Sequence, residues 1–158
     1  MKRLVEAGAA VDPSNIAGAL AHGETAIIDH LVDGGMPMTA PIAAALGRVG
    51  PLESLLRSAS QGDKNESLDL AVINNGIDAA RLALAAGATV DRQSTHHRHA
   101  QPLHQAALHD NVELVALLIQ HGARTDAVDG LWGGTPVGWA WHAKNQAVVD
   151  YLNAQEAD

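Results

Sequence analysis

Pro102-Leu103-His104-Gln105-Ala106-Ala107 returns 34 residues later as Pro136-Val137-Gly138-Trp139-Ala140-Trp141. The same offset carries Leu114, Leu117 and Leu118 onto Val148, Tyr151 and Leu152, which are i, i+3 and i+4 positions on one helical stripe. Stepping back by 35 brings Leu103, Ala106, Leu117 and Gly122 onto Leu68, Ala71, Leu82 and Gly87. Stepping back by 87 brings Leu103, Ala106, Leu118 and Gly122 onto Ile16, Ala19, Leu31 and Gly35. A further unit lies between, from Pro41-Ile42-Ala43-Ala44-Ala45 to Leu52, Leu55 and Leu56, with its register slipped by about a residue. A repeat of this kind is the signature of a stacked array.

Each unit reads as a short Ala-rich helix, a small loop and a longer amphipathic helix ended by Gly. Glycine there supplies the left-handed residue that closes a helix. The loops between the paired helices are Ala21-His22-Gly23-Glu24, Val49-Gly50-Pro51, Asn74-Asn75-Gly76 and His109-Asp110-Asn111. Three contain Gly and the fourth Asp-Asn, residues that tolerate positive φ. Alanine in the middle of the first helix lets neighbouring pairs approach closely.

This pattern resembles the ankyrin-repeat family. The carrying residues are Pro102-Leu103-His104-Gln105-Ala106-Ala107, the opening Gly133-Gly134-Thr135-Pro136, and Gly8-Ala9, Gly87-Ala88-Thr89-Val90-Asp91 and Gly122-Ala123-Arg124-Thr125-Asp126 after second helices. The resemblance covers nearly the whole chain, most strongly residues 65–152, and the last two units read most like bacterial ankyrin proteins. It implies an all-α solenoid of stacked helix-turn-helix units forming one domain over residues 1–158. The approximate units are 1–12 (a partial N-terminal cap), 13–39, 40–64, 65–98, 99–130 and 131–158.

The glycines read as helix ends are Gly8, Gly35, Gly62, Gly87 and Gly122, spaced 27, 27, 25 and 35. The family's period is about 33. The early units are therefore expected to lack the β-hairpin finger that joins repeats. Only the connections around 89–101 and 125–135 are long enough for one or two short fingers, in the C-terminal half. The alternative is early units that have drifted too far for their glycines to be placed. Residues 58–65 read as a polar loop. Residues 1–12 read as the second half of a unit without its first helix, either a half-repeat cap or the edge of a longer chain. The slipped second unit is expected to be the weakest joint. Ile28, Leu31, Leu56, Leu82, Leu103, Ala106, Leu114, Leu117, Leu118, Val148 and Leu152 are expected to be buried.

Composition narrows the function. The 158 residues carry 10 Lys and Arg against 18 Asp and Glu, a formal charge of −8. Both halves are acidic, with 5 basic and 10 acidic side chains in residues 1–79 and 5 and 8 in residues 80–158. Nucleic acid and anionic membranes are therefore poor partners. No apolar run approaches the ~18 residues of a membrane span. Glu6 interrupts the N-terminus before a signal-peptide core forms. A soluble, cytoplasmic, monomeric protein is expected. The absence of Cys excludes disulfides, thiolate metal sites and cysteine catalysis. No phosphate-binding Gly loop and no Gly-x-Ser-x-Gly elbow is present. No catalytic residue and no cofactor is assigned, and the chain is not read as an enzyme.

The candidate residues cluster late in the chain. Five of the nine histidines, His96, His97, His99, His104 and His109, fall within fourteen residues. His96, His97 and His99 are the ligand set of an alternative reading, a histidine-dependent metal-binding protein. Against it, they lie in a loop around Arg98, and a metal needs convergent ligands with a supporting shell. The resemblance gives His104 a structural role, a hydrogen bond to backbone in the neighbouring turn. The aromatic residues are Trp132, Trp139, Trp141 and Tyr151, all in the last 27 residues. Trp139 and Trp141 stand at small-residue positions of a last unit, and are expected to lie across its end as a lid. Trp132 falls at a loop tip, where an exposed aromatic anchors a partner. The resemblance implies a non-catalytic protein-protein interaction module that binds through finger tips and the concave face of the first helices. On this sequence that face is His97, Arg98, Ala100, Leu108, His109, Leu131, Trp132, Gly134, His142 and Ala143, with His97, Arg98, Leu108, His109, Leu131, Trp132 and His142 as the seven expected partner contacts, and it continues through Ala21, His22, Arg48, Ile73 and Asn74.

Overall fold

The computed structural model describes residues 13–156. The expected cap at 1–12, with Gly8, lies outside the described residues. Among the described residues ten helices pair in sequence: α1 (Pro13–Ala21) with α2 (Thr25–Asp33), α3 (Ala40–Ala45) with α4 (Val49–Leu56), α5 (Gln61–Ile73) with α6 (Ile77–Ala85), α7 (Pro102–Ala107) with α8 (Val112–Gln120), and α9 (Pro136–Ala143) with α10 (Gln146–Glu156). The first helices α3, α5, α7 and α9 pack side by side as one layer, and α4, α6, α8 and α10 as the other. This is an all-α repeat solenoid.

The local signals act as their chemistry requires. Pro102 and Pro136 occupy first-turn positions, where a missing N–H costs nothing. Thr39 and Thr135 accept from the N–H three residues on, and Asn111 accepts from Leu114 N. After the second helices, Gly35, Gly87 and Gly122 hold φ of +103°, +97° and +94°. The next residue's N–H reaches back across the helix end, from Met36 to Leu31 O, Ala88 to Ala83 O and Ala123 to Leu118 O, at 2.9–3.0 Å.

Gly62 is a correction. It lies in the first turn of α5, and the polar stretch before it is a helix start instead of a loop. Ser60 Oγ accepts from Asp63 N at 3.1 Å while Asp63 accepts from Ser60 N at 3.3 Å, a reciprocal capping box. Helix α5 therefore runs 13 residues and outlasts its partner α6 at 9.

The expected β-hairpin fingers are also corrected. Among the described residues there is no strand. Both long connections instead form compact turns, each closed by a backbone bond, Ser94 N to Ala100 O at 2.8 Å and Asp129 N to Gly134 O at 2.9 Å. Inside each turn a buried side chain takes the N–H groups that strand pairing would use. Ser94 Oγ accepts from His96 and His97 N, and Asp129 Oδ1 accepts from Leu131 and Trp132 N. The two turns are joined to each other by Gly130 N to His99 O at 2.7 Å.

A continuous core of Leu, Ala and Val runs from α3 to α10, and a second cluster joins α1 and α2 to Ile42, Ala45 and Leu70. All the expected core positions are buried except Leu82, which is half-buried. On α6 the buried face is Ala79, Ala80, Ala83 and Leu84, so Leu82 packs along its flank. The N-terminal end is more compact than a simple stack. All six residues of α3 are buried, and α1 touches α5 beyond it, with Asn74 Nδ2 donating to Leu20 O at 3.1 Å.

Candidate functional site

The site begins with Asp129, only 3 % exposed. Its Oδ1 takes the N–H groups of Leu131 at 2.9 Å and Trp132 at 2.7 Å. Its Oδ2 takes Gly134 N at 2.8 Å and the Trp139 indole N–H at 2.9 Å. Burial pushes the Asp129 carboxyl up, but the N–H donors of Trp132, Trp139, Leu131 and Gly134 outweigh it and hold the acid well below the usual carboxylate range. Glycine at 134 is required by close approach, since a Cβ there would stand 2.9 Å from Asp129 Oδ2 and 3.2 Å from the Trp139 ring. The carboxylate thus holds the loop, turns Trp132 outward and aims Trp139 at the same side.

Around this anchor lies an open, largely apolar cavity of ≈ 770 Å³. Gln105 of α7 and Leu108 just after it meet Gly138, Trp139 and His142 of α9 there, and His97, His99, Trp132 and Gly134 come from the two turns. The rings gather closely. Trp132 and Trp139 centroids are 5.8 Å apart at 60°, and His99 stands edge-on to Trp132 at 5.4 Å. His104 lies beneath, edge-on to Trp139 at 5.3 Å. Burial holds His97 below the usual imidazole range, and His99, His96 and His22 add to this against the opposing Asp69.

His104 ties two units together, as the resemblance implied. Its Nε2 sits 3.1 Å from Gly134 O, and its Nδ1 sits 3.3 Å from Gln101 N. A carbonyl only accepts and an amide N–H only donates, so the ring is neutral with its proton on Nε2. Burial lowers its pKa in the same direction. One unit earlier, at the offset of 35, the same place is held by Asp69. This buried carboxylate pairs with Arg92 through two 3.0 Å bonds and accepts from Thr95 N at 2.7 Å.

Of the seven expected partner-facing residues, the structure brings His97, Leu108, Trp132 and His142 together on the cavity. Arg98 and Leu131 are exposed outside its lining. His109 is partly buried and spent on the backbone of Ile73 and Val72, so it is a structural tie. In the weaker units Arg48 is engaged by Asp29 and Asp33 at 2.7 Å, and Asn74 is bonded to Leu20 and Leu70. The lid expectation is corrected. Trp139 turns inward because a half-buried indole N–H needs an acceptor and Asp129 supplies it, while Trp141 is 73 % exposed. Sequence reasoning missed Trp139, His99, Gln105 and Gly138 as cavity residues. The available signal was Asp129 itself, ten residues before Trp139 in a Gly-rich turn.

The metal alternative finds no support in this geometry. Among the described residues no three His, Asp or Glu side chains gather as a metal site. His96 Nε2 faces Glu66 at 3.2 Å, while the His97 and His99 rings stand edge-on at 6.0 Å.

A family model described as ankyrin repeats in three copies matches residues 68–158. The chain belongs to the ankyrin-repeat family. Ankyrin repeats are generally protein-protein interaction modules and typically non-catalytic. In this ankyrin array the cavity residues all lie within the matched stretch. Among the described residues no helix is long and apolar enough to cross a membrane.

Proposed function

We propose that this ankyrin-repeat chain docks a protein partner on the concave, turn-side face of its C-terminal units, as a scaffold or regulator without chemistry of its own. The observation that carries the reading is the cavity built by α7, α9 and the two turns, with Trp132 72 % exposed at its rim. His97, Leu108, Trp132 and His142 are the contact residues of this reading. Leu131, 63 % exposed, and Arg98 extend the surface outward. A rigid face costs little ordering on binding, since the turn that carries Trp132 is already held by Asp129. The acidic balance favours a basic or neutral partner.

The test is affinity capture with the wild-type chain, the Trp132→Ala/His97→Ala variant and Trp141→Ala side by side, each checked for an unchanged melting curve. Truncating an aromatic anchor costs about 2–4 kcal/mol. A partner held by wild type and Trp141→Ala is expected to be lost from the double variant. Retention by all three would place the docking face elsewhere on the array.

A further inference from the structure

Three histidines, His97, His99 and His142, converge on the cavity, and no Lys, Arg, Asp or Glu lines it. Its walls are otherwise largely apolar. His142 stands exposed at the rim, while His97 and His99 are half-buried. The His99 ring fills the corner between the indoles, edge-on to Trp132 at 5.4 Å and tilted 32° to Trp139 at 5.9 Å. Its Nε2 is buried and finds no hydrogen-bond partner among the described residues. An imidazolium carries N–H on both nitrogens, so a charged His99 would hold a donor with no acceptor. The groups that would offset a charge here are already engaged. Asp69 of α5, which faces His97, is bonded to Arg92 and Thr95. Asp129 of the neighbouring turn accepts from four N–H groups. Glu66 of α5 stands 3.2 Å from His96. Burial lowers the His97 pKa, and the imidazoles of His99 and His96 in its own turn and of His22 in the α1–α2 loop add to this. The His97 and His99 rings are 6.0 Å apart, so a charge on one opposes a charge on the other.

We infer that docking in this cavity is gated by protons: an uncharged, apolar segment of a protein partner enters while His97, His99 and His142 are neutral, and acid releases it. The inference rests on the docking face proposed above and adds its regulation. The entering segment displaces water from the three rings, and burial without an acceptor disfavours the imidazolium form. Binding and protonation therefore oppose each other, and a histidine that is charged in the free chain gives its proton to solvent as the segment enters. The lining argues for an uncharged occupant. A lysine finds no free acid there, and a carboxylate would pair with the imidazolium forms, so that acid would strengthen its binding. An imidazole of ordinary pKa, about 6.5, that must stay neutral in the complex weakens binding about tenfold between pH 7.5 and 5.5. His97, already lowered by burial, contributes less than that over the same range.

The probe is the peptide acetyl-Ser-Gly-Leu-Leu-Gly-Ser-amide, which has no titratable group. The full-length chain is titrated with it at pH 7.5, 6.5 and 5.5, following the Leu108 and Gly138 amide resonances by NMR, with far-UV circular dichroism confirming the fold at each pH. Affinity is expected to fall at least about fivefold from pH 7.5 to 5.5. Saturating peptide is expected to move the His97, His99 and His142 imidazole titrations to lower pH and to leave that of His30, exposed on α2, where it was. His142→Gln, at an exposed position, is expected to shrink the ratio of affinities between the two pH values. An affinity constant within about twofold across the range would overturn the inference. So would binding that strengthens in acid, which marks an anion-binding site, or no resonance shift at pH 7.5, which removes the apolar occupant. Any of these results, alongside partner capture that still depends on Trp132 and His97, removes the proton gate and leaves the docking face standing. Capture indifferent to Trp132 and His97, with peptide binding still weakened by acid, removes the docking face instead.

Discussion

Asp129 is the residue on which the candidate site depends. Its two oxygens satisfy three backbone N–H groups and one indole, two on each oxygen. Asparagine preserves the volume but places an NH2 group against donors. Asp129→Asn is therefore expected to cost about 3 kcal/mol, from lost charged hydrogen bonds and unsatisfied donors. For a chain of this size that is a fall of roughly 10 °C in Tm by calorimetry. A Tm within about 2 °C of wild type would show that the loop holds itself without the carboxylate. Trp139 became legible only through this contact. Alone in the sequence it is an aromatic at a small-residue position, and two opposite placements fit that description.

At the scale of the element, the joints between units are made by polar side chains buried at one repeating place. His104 on α7 and Asp69 on α5 hold it in successive units, one by a neutral imidazole and the other by a carboxylate with Arg92. The Pro-Leu-His motif made the first legible. The second was hidden because Asp replaces His and changes the donor into an acceptor, which Arg92 and Thr95 then satisfy. Burial is the leading cause that lowers His97, His104 and His109 below the usual imidazole value. The unfolded chain then binds more protons than the folded one as acid is added. Their contribution is therefore fully present above about pH 6.5, falls as pH drops below it, and levels off once the lowered folded values are passed. Urea midpoints at pH 7.5, 6.5 and 5.5 are expected to decline in that order. A constant midpoint across this window would count against buried neutral histidines at the joints.

For the whole molecule, a stacked array draws its stability from the interfaces between neighbours. The slipped register of the second unit pointed to a weak joint. The packing argues the other way, since α3 is buried on every residue and α1 reaches past it to α5. Native-state hydrogen exchange is the direct check. Amides of Ala43, Leu46 and Arg48, bonded to Thr39, Ile42 and Ala43, are expected to be protected within about tenfold of those in the middle of α5. Much faster exchange at these three amides would restore the second unit as the weak joint. The acidity of both halves belongs to this scale too, because it sets which partners approach while leaving the choice of docking face to local geometry.

Periodicity in the sequence determined the stacked helix pairs, the buried stripes and three left-handed glycines, Gly35, Gly87 and Gly122, because a repeated burial requirement prints itself at a fixed spacing. The family resemblance implied the joint role of His104, and the Gly-rich stretch around Trp132 marked its exposed turn. Tertiary structure alone decided which way Trp139 faces, that His109 and Arg48 are spent on structural contacts, and that both long connections close as turns without strands. Each of these depends on which partner a polar atom finds, from the 5 and 6 residues that close the turns to the 10 between Asp129 and Trp139 and the 19 between Asp29 and Arg48. A pattern of residue types carries spacing. It does not carry the direction in which a single side chain turns, which is settled by the acceptor or cavity that folding brings beside it.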